Sequence, residues 1–358
     1  MKMKMMIVAG GTGGHIYPAL ALADIFMKQS EENEVVFFGS DNRLESRMIP
    51  EHGYRFVGVN MVSTQGGITT KIRSLISLIK AESYAKKVLQ KERPDVCIGF
   101  GNYTSVPFIR AAHKLGIPTV LHEQNSYAGK ANVYLGKIAD AIVGCYSANS
   151  EQFPKNKVYL YGNPEATLAS KVECTPEDLK QYGLDAEKPF VLMMMGSLGS
   201  ASVSEVLDQA CPLLDDSYQV IIATGKSNSY QFHYRSDDHI RIVDYVDGKK
   251  LLKGCRLAVV RAGATTIAEL CAIGTASILI PSPYVPNNHQ YYNALELSKE
   301  GAGVLIEEKD LTAEKLADTI NHLMKDRDRI QEMKENARKL GRTDAAEKMI
   351  VLCKELSQ

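Results

Sequence analysis

The chain has 358 residues, 45% of them apolar and 23% charged, with Lys+Arg and Asp+Glu equal at 42 each. That balance is ordinary for a globular chain and argues against a general nucleic-acid backbone binder, which carries a net basic footprint. At roughly 150 residues per domain the length predicts about two cores, and no apolar run approaches the ~18 residues that a membrane-spanning helix needs.

The first predicted strand, residues 5–9, follows the basic start Met1-Lys2-Met3-Lys4. It stops at Gly10 without a cleavage-site pattern, so it reads as a strand and not as a signal peptide. The loop Gly10-Gly11-Thr12-Gly13-Gly14-His15 comes next, then a helix with Leu20, Leu22, Ala23 and Phe26 at helical spacing. Further strands are predicted at 35–38, 55–59, 96–99, 119–122, 141–143 and 158–161. Strands alternating with helices imply a parallel sheet covered on both faces. The cluster Gly162-Asn163-Pro164 breaks the rhythm and reads as a linker, which places one domain at 1–162 and a second at 163–340. The rhythm resumes with strands at 190–195, ending in Gly196-Ser197-Leu198-Gly199, and at 220–223, 241–243, 257–260 and 276–280. The expected fold class is α/β, with two Rossmann-like doubly wound parallel sheets and a cleft between them. Residues 326–358 have a charged helical pattern, and the stretch at about 341–358 is expected to pack back on the first domain. The seven cysteines, Cys97, Cys145, Cys174, Cys211, Cys255, Cys271 and Cys353, never fall at CxxC spacing, which fits reduced thiols in a cytosol.

A strand that feeds glycines into a helix start aims backbone N–H groups at the crevice above the sheet, where a phosphate or diphosphate binds. The first loop departs from the dinucleotide fingerprint, because Gly11-Thr12-Gly13 is followed by Gly14-His15-Ile16 and the nearest acid near the second strand is Asp41. It is no Walker A loop either, since no Gly-Lys-Ser/Thr follows. Glycines alone would fit a tight strand-to-helix turn. His15 adds chemistry: at the first turn of a helix the dipole favours the neutral, proton-accepting imidazole. That form suits a general base for a hydroxyl nucleophile, or a donor to a ligand oxygen.

In the second half, Arg261-Ala262-Gly263-Ala264-Thr265-Thr266-Ile267-Ala268-Glu269 again opens a helix after a strand. Free N–H groups at Ala264, Thr265 and Thr266 suit a diphosphate, and Glu269 suits a ribose diol. The alternative is a capping box between Thr266 and Glu269. Polar side chains crowd the stretch from Pro281 to Ala294, which contains His289, Gln290 and Asn293, and they also crowd the strand ends Gly101-Asn102-Tyr103-Thr104-Ser105 and His122-Glu123-Gln124-Asn125. Asp326-Arg327-Asp328 has a D-x-D spacing but lies in a charged helical run, so it reads as a solvated face, and no metal site is expected.

Taken in order, GGTGGHIYPALALA (10–23), GNYTS (101–105), HEQN (122–125), GNP (162–164), GS-x-G (196–199), RAGATTIAEL (261–270) and HQYYNA (289–294) resemble the MurG family. These are bacterial N-acetylglucosaminyltransferases that convert lipid I to lipid II in peptidoglycan synthesis. The resemblance runs from near the first residue to about Ala294. It implies a GT-B fold, the donor UDP-GlcNAc mainly on the second domain, and the undecaprenyl-diphospho-muramoyl-pentapeptide acceptor on the first. By motif match, Val246 meets the uracil, Glu269 the ribose, and Ala264, Thr265, Thr266 and Ser197 the diphosphate. Gln290 and Asn293 take the sugar hydroxyls, with Asn125, Thr12, Gly13 and Gly14 approaching from the first domain. Gly13, Gly14, His15, Tyr103 and Glu123 line the acceptor side, with His15 the first candidate for the base and Glu123 the second. Inversion by one in-line displacement requires no metal or cofactor.

The resemblance further implies a peripheral protein on the cytoplasmic face of the bacterial membrane, touching an anionic surface and other cell-wall synthesis proteins. Residues 68–80 offer a suitable helix, with Ile72, Leu75, Ile76 and Ile79 on one face and Lys71, Arg73 and Lys80 around them. The alternative is a helix packed on its own sheet. Two departures stand out: Glu165-Ala166 follow GNP where the family commonly carries an arginine, so either another cation, Arg261 or Lys226, takes its place or donor affinity is weaker than usual, and Ser204 stands where an asparagine is common. Two other functional classes remain open: a noncatalytic sugar-nucleotide-binding subunit that recruits a partner to the membrane, and a GT-B transferase or epimerase acting on another UDP-sugar or acceptor.

Overall fold

The computed structural model describes residues 2–61, 68–196, 199–225 and 228–358, and the side chains of all of these except 68–75. Chain contacts divide them into two units, Met1–Thr167 with Asp344–Gln358, and Leu168–Thr343.

The first unit runs β1 (Lys4–Val8), α1 (Gly13–Gln29), β2 (Glu34–Ser40), α2 (Glu45–Glu51), β3 (Arg55–Val59), α3 (Ile68–Glu92), β4 (Val96–Gly99), α4 (Ser105–Lys114), β5 (Thr119–Glu123), α5 (Lys130–Leu135), β6 (Ala141–Gly144), α6 (Asn149–Gln152) and β7 (Val158–Tyr159). The helix α7 (Pro164–Ala169) carries the chain into the second unit. All seven strands are parallel, in the order β3-β2-β1-β4-β5-β6-β7. Continuous apolar runs such as Met5 to Val8 are what a sheet covered on both faces demands, and these residues have no exposed surface. One layer of the core packs Met6, Val8, Phe38, Phe108 and Leu121 together, with the Phe38 and Phe108 rings stacked at 5.0 Å.

The second unit contains α8 (Pro176–Lys180), β8 (Phe190–Met194), α9 (Ala201–Ala210), β9 (Gln219–Ala223), β10 (Ile240–Val243), α10 (Gly248–Gly254), β11 (Leu257–Val260), α11 (Ala264–Ile273), β12 (Ser277–Leu279), α12 (His289–Lys299), β13 (Gly303–Leu305), α13 (Ala313–Lys325) and α14 (Arg327–Leu340). Its six parallel strands lie in the order β10-β9-β8-β11-β12-β13, which is the first unit's plan repeated. The edge strand β13 is absent from the sequence-based assignment; three residues beside Gly301-Ala302 give no periodicity to read. Asp326 of the D-x-D triplet caps α14, accepting the Arg329 N–H at 2.9 Å.

The final helix, α15 (Ala345–Leu356), belongs to the first unit. Its buried stripe of Ala345, Ala346, Met349, Ile350, Leu352 and Cys353 packs on α1, and the Thr167 hydroxyl accepts the Ala346 N–H at 3.1 Å. No helix among the described residues is long and apolar enough to cross a membrane.

Candidate active site

In each sheet the strand order reverses beside the first strand, between β1 and β4 in one unit and between β8 and β11 in the other. Ligands of doubly wound sheets bind outside the carboxyl ends of the strands at such a reversal. The loops leaving these strands are the motif loops: Gly10 to Thr12 and Gly101 to Thr104 in the first unit, Gly196 to Ser200 and Arg261 to Gly263 in the second.

In the first unit, Thr12 is the N-cap of α1, with extended backbone. Its carbonyl accepts the His15 and Ile16 N–H groups at 3.1 and 3.3 Å, and its hydroxyl meets His15 Nδ1 at 3.0 Å instead of capping the helix. The other imidazole nitrogen faces the second loop: a Cβ on Gly101 would lie 3.3 Å from His15 Nε2 and 3.5 Å from Asn132 Nδ2. Gly101, at φ +92°, therefore makes room for the imidazole and the amide together. Gly13 and Gly14 begin α1, where N–H groups have no intrahelical partner.

Asn132 connects this group to Glu123. Its Nδ2 donates to the His122 carbonyl at 3.0 Å and to Glu123 Oε2 at 2.9 Å, while its Oδ1 is buried without a partner among the described residues. Glu123 is 1% exposed and saturated. Oε2 also accepts the Gly129 N–H at 2.9 Å, and Oε1 accepts the Asn125 N–H at 3.0 Å and Asn125 Nδ2 at 3.4 Å. Burial raises the Glu123 carboxyl above its ordinary value, although these donors pull the other way. The geometry is that of an anchor for the loop from Asn125 to Gly129, with no side to spare for a substrate proton. Neighbouring His122 is fully buried against Phe100, and desolvation lowers its pKa to about 4. The Gly162 carbonyl accepts from its Nε2 at 3.2 Å, and Nδ1 has no hydrogen-bond partner among the described residues. The Tyr103 hydroxyl is likewise buried without a partner among the described residues, and the Arg43 guanidinium lies 5.7 Å from its ring centre. Unpaired polar atoms of this kind mark where water or a ligand completes the structure.

In the second unit, α11 begins at Ala264 with Gly263 as an extended N-cap and no capping side chain. Thr266 is thus the third residue of the helix, and the capping-box alternative is overturned. The first-turn N–H groups of Ala264, Thr265 and Thr266 are the orphan donors of a helix start, and Thr265 Oγ1 is buried with no hydrogen-bond partner among the described residues. Glu269 lies half-buried one turn further along. Val246, just past β10, is 5% exposed. Gln290 Oε1 accepts the Ser282 N–H at 2.9 Å, which fixes the flip of the amide and turns its NH2 away from that contact. Asn293 is fully buried, and its Nδ2 donates to the Ala262 carbonyl at 3.3 Å, tying α12 to the loop before α11. Ser197 lies outside the described residues.

The flanks of that loop interlock through glycines. A Cβ on Gly199 would lie 2.5 Å from the Thr224 carbonyl, and one on Gly225 would lie 2.6 Å from the Gly199 nitrogen, with φ of +69° and +91° at the two positions. Gly225→Ala therefore sets side chain against backbone at a left-handed position. It is expected to cost about 2 kcal/mol or more, read as a lower urea midpoint; an unchanged midpoint would show that the two loops are not interlocked in solution. Among the described residues, no three His, Cys, Asp or Glu side chains converge as metal ligands.

The glycosyltransferase family 28 N-terminal domain model matches residues 5–143, and its C-terminal counterpart matches residues 190–349. A relative from Pediococcus pentosaceus is 37% identical over 99% of this chain and all of its own length; it is named UDP-N-acetylglucosamine--N-acetylmuramyl-(pentapeptide) pyrophosphoryl-undecaprenol N-acetylglucosamine transferase. A Listeria monocytogenes protein with the same name is 36% identical over 97% of this chain and 98% of its own. This chain belongs to the MurG family of glycosyltransferases. The crystal structure of Acinetobacter baumannii MurG superposes with a TM-score of 0.78 at 24% identity, covering 99% of both chains. The calicheamicin glycosyltransferase CalG4 superposes at 0.71 with 14% identity over the full length of both. The fold is the GT-B architecture of two Rossmann-like units.

Against the MurG family pattern, the departures have local explanations. Glu165 is 3% exposed in the first turn of α7, where its N–H donates to Asn163 Oδ1 at 3.0 Å. Arg261 is not a spare cation: it is ion-paired with Glu308 at 2.8 Å and donates to Ser200 Oγ at 2.7 Å and to the Ile280 carbonyl at 3.2 Å. Lys226 lies outside the described residues. Ser204 receives an amide from another loop, since Asn228 Nδ2 donates to its hydroxyl at 2.8 Å. Sequence reasoning passed over Asn228, Asn132 and Glu45. Each is a polar residue whose partner is distant in the chain, and no local spacing signals such a contact.

Proposed function

We propose that this chain is an inverting transferase that moves N-acetylglucosamine from UDP-GlcNAc to the muramoyl hydroxyl of undecaprenyl-diphospho-MurNAc-pentapeptide, converting lipid I to lipid II at the cytoplasmic face of the bacterial membrane. The observation that carries this reading is end-to-end identity of 36–37% with relatives named for that transfer. The switch-point loops supply the chemistry. When His15 Nδ1–H donates to the Thr12 hydroxyl, Nε2 keeps its lone pair on the side facing Gly101. Nε2 takes the proton of the muramoyl hydroxyl, whose oxygen bonds the anomeric carbon of GlcNAc as the bond from that carbon to the UDP phosphate oxygen breaks. Charge growing on the leaving diphosphate is met by the first-turn N–H groups of Ala264, Thr265 and Thr266. Glu269 holds the ribose, Val246 packs by the uracil, and the Gln290 NH2 faces a sugar hydroxyl. No cofactor enters this scheme.

The test is transfer from radiolabelled UDP-GlcNAc to a lipid I analogue, with UDP-GalNAc as the control donor. A disaccharide lipid formed only from UDP-GlcNAc supports the reading. No product from either donor removes it, and equal transfer from both leaves the transferase but removes its donor specificity.

Contact with the bilayer fits α3, where Ile76 and Ile79 are 49% and 62% exposed. The side chains of Lys71, Ile72, Arg73 and Leu75 lie outside the described residues. Exposed aliphatic side chains of this size insert at a lipid interface. Replacing both Ile76 and Ile79 with Asp is expected to lower co-sedimentation with anionic vesicles by about tenfold at unchanged UDP affinity; full retention of vesicle binding would move the contact elsewhere.

A further inference from the structure

Two side chains grip the first glycine-rich loop, and the scheme above uses neither. The peptide group joining Gly10 to Gly11 offers its carbonyl to Asn102, whose Nδ2 donates at 2.9 Å, and its N–H to Glu45, whose Oε2 accepts at 3.0 Å. Each grip is itself braced. Glu45 is fully buried and its Oε1 accepts the Ser40 N–H at 3.2 Å, at the end of β2. Asn102 holds a left-handed φ of 66°, and its Oδ1 accepts the Tyr103 N–H at 2.6 Å. Glycine admits both grips. A Cβ on Gly10 would lie 2.3 Å from Glu45 Oε1, and one on Gly11 would lie 1.8 Å from Asn102 Nδ2. Among the described residues no cation pairs with Glu45, so its carboxylate is committed to these backbone N–H groups. Thr12, the next residue, starts α1 with its carbonyl and meets the His15 imidazole with its hydroxyl.

We infer that Glu45 and Asn102 are positioning residues, which lock the Gly10–Gly11 peptide in one orientation and thereby aim Thr12 and the His15 imidazole. This rests on the reading of His15 as the base. The lock is directional. A carboxylate only accepts, and the asparagine NH2 only donates, so both are satisfied in the observed orientation and neither in the reverse. Exchanging the two polarities should fit the peptide turned over. With Glu45→Gln, the new NH2 donates to the turned carbonyl while Oε1 keeps the Ser40 N–H. With Asn102→Asp, one carboxylate oxygen accepts the turned N–H while the other keeps that of Tyr103. Glycine on both sides tolerates the turn.

The experiment compares E45Q, N102D and the double variant with wild type by urea midpoint, transfer kcat, UDP affinity and the nitrogen NMR signals of the His15 ring. Each single variant is expected to lower the urea midpoint and to reduce kcat by about tenfold or more, with displaced His15 signals and unchanged UDP affinity. The double variant is expected to regain the midpoint but not kcat, and its His15 signals stay displaced. Asn102→Gly keeps the left-handed turn without the amide, and should lose kcat with displaced His15 signals at unchanged UDP affinity. Undisplaced His15 signals in the single variants, a double variant no more stable than they are, or a double variant that regains kcat would each overturn the inference. If the wild type transfers no GlcNAc, the functional reading falls, while the midpoints and ring signals still decide whether the lock exists.

Discussion

Replacing His15 with alanine is expected to lower kcat by about 10²–10⁴-fold, the usual worth of a positioned general base, while UDP affinity stays at its wild-type value. The separation follows from the fold. His15 stands at the start of α1 in the first unit, and the helix start proposed to hold the diphosphate is that of α11 in the second. The imidazole is half-buried at the start of a helix, so its removal should cost the fold about 1 kcal/mol. Single-turnover transfer, UDP calorimetry and a urea titration on the same preparation read the three quantities. Turnover near the wild-type rate would remove His15 as the base; a parallel loss of UDP affinity would make it a donor-site residue.

Glu123→Ala should give the opposite signature, a large loss of stability that drags activity with it. Truncation removes the acceptor of the Gly129 and Asn125 N–H groups at part-buried positions and one of the two acceptors of the buried Asn132 amide. At roughly 1–3 kcal/mol for each orphaned buried donor, the total should reach about 3 kcal/mol or more. Asn132 would be held only by the His122 carbonyl, which loosens the amide that stands beside the His15 ring across Gly101. Activity should therefore fall even under conditions where the variant remains folded. A Glu123→Ala protein with the wild-type urea midpoint and a large kcat loss would reverse the assignment, making Glu123 the proton acceptor and His15 the support.

The architecture was legible because its causes are local. Runs such as Phe190 to Met193 are apolar throughout because both faces of a parallel strand are buried, and a glycine-bearing turn follows wherever a strand gives way to a helix near the switch point. The location of the motif loops could be read for the same reason. What stayed hidden is tertiary. Glu45 sits in Asp41-Asn42-Arg43-Leu44-Glu45-Ser46-Arg47, a stretch that reads as solvated surface, yet its side chain is sealed beneath Gly10. Arg261 reads as a cation available to phosphate until its partners on Glu308, Ser200 and Ile280 are placed. The start of α11 was ambiguous because threonines and a glutamate at capping spacing also occur inside a helix, and only the extended backbone of Gly263 separates the two.

The return of α15 to the sheet where the chain began has a consequence for biosynthesis. Every residue of the second unit leaves the ribosome before Ala345 to Leu356 do. The second unit can thus mature while the outer surface of α1 still lacks its cover, and the half of the protein translated first is the half that finishes last.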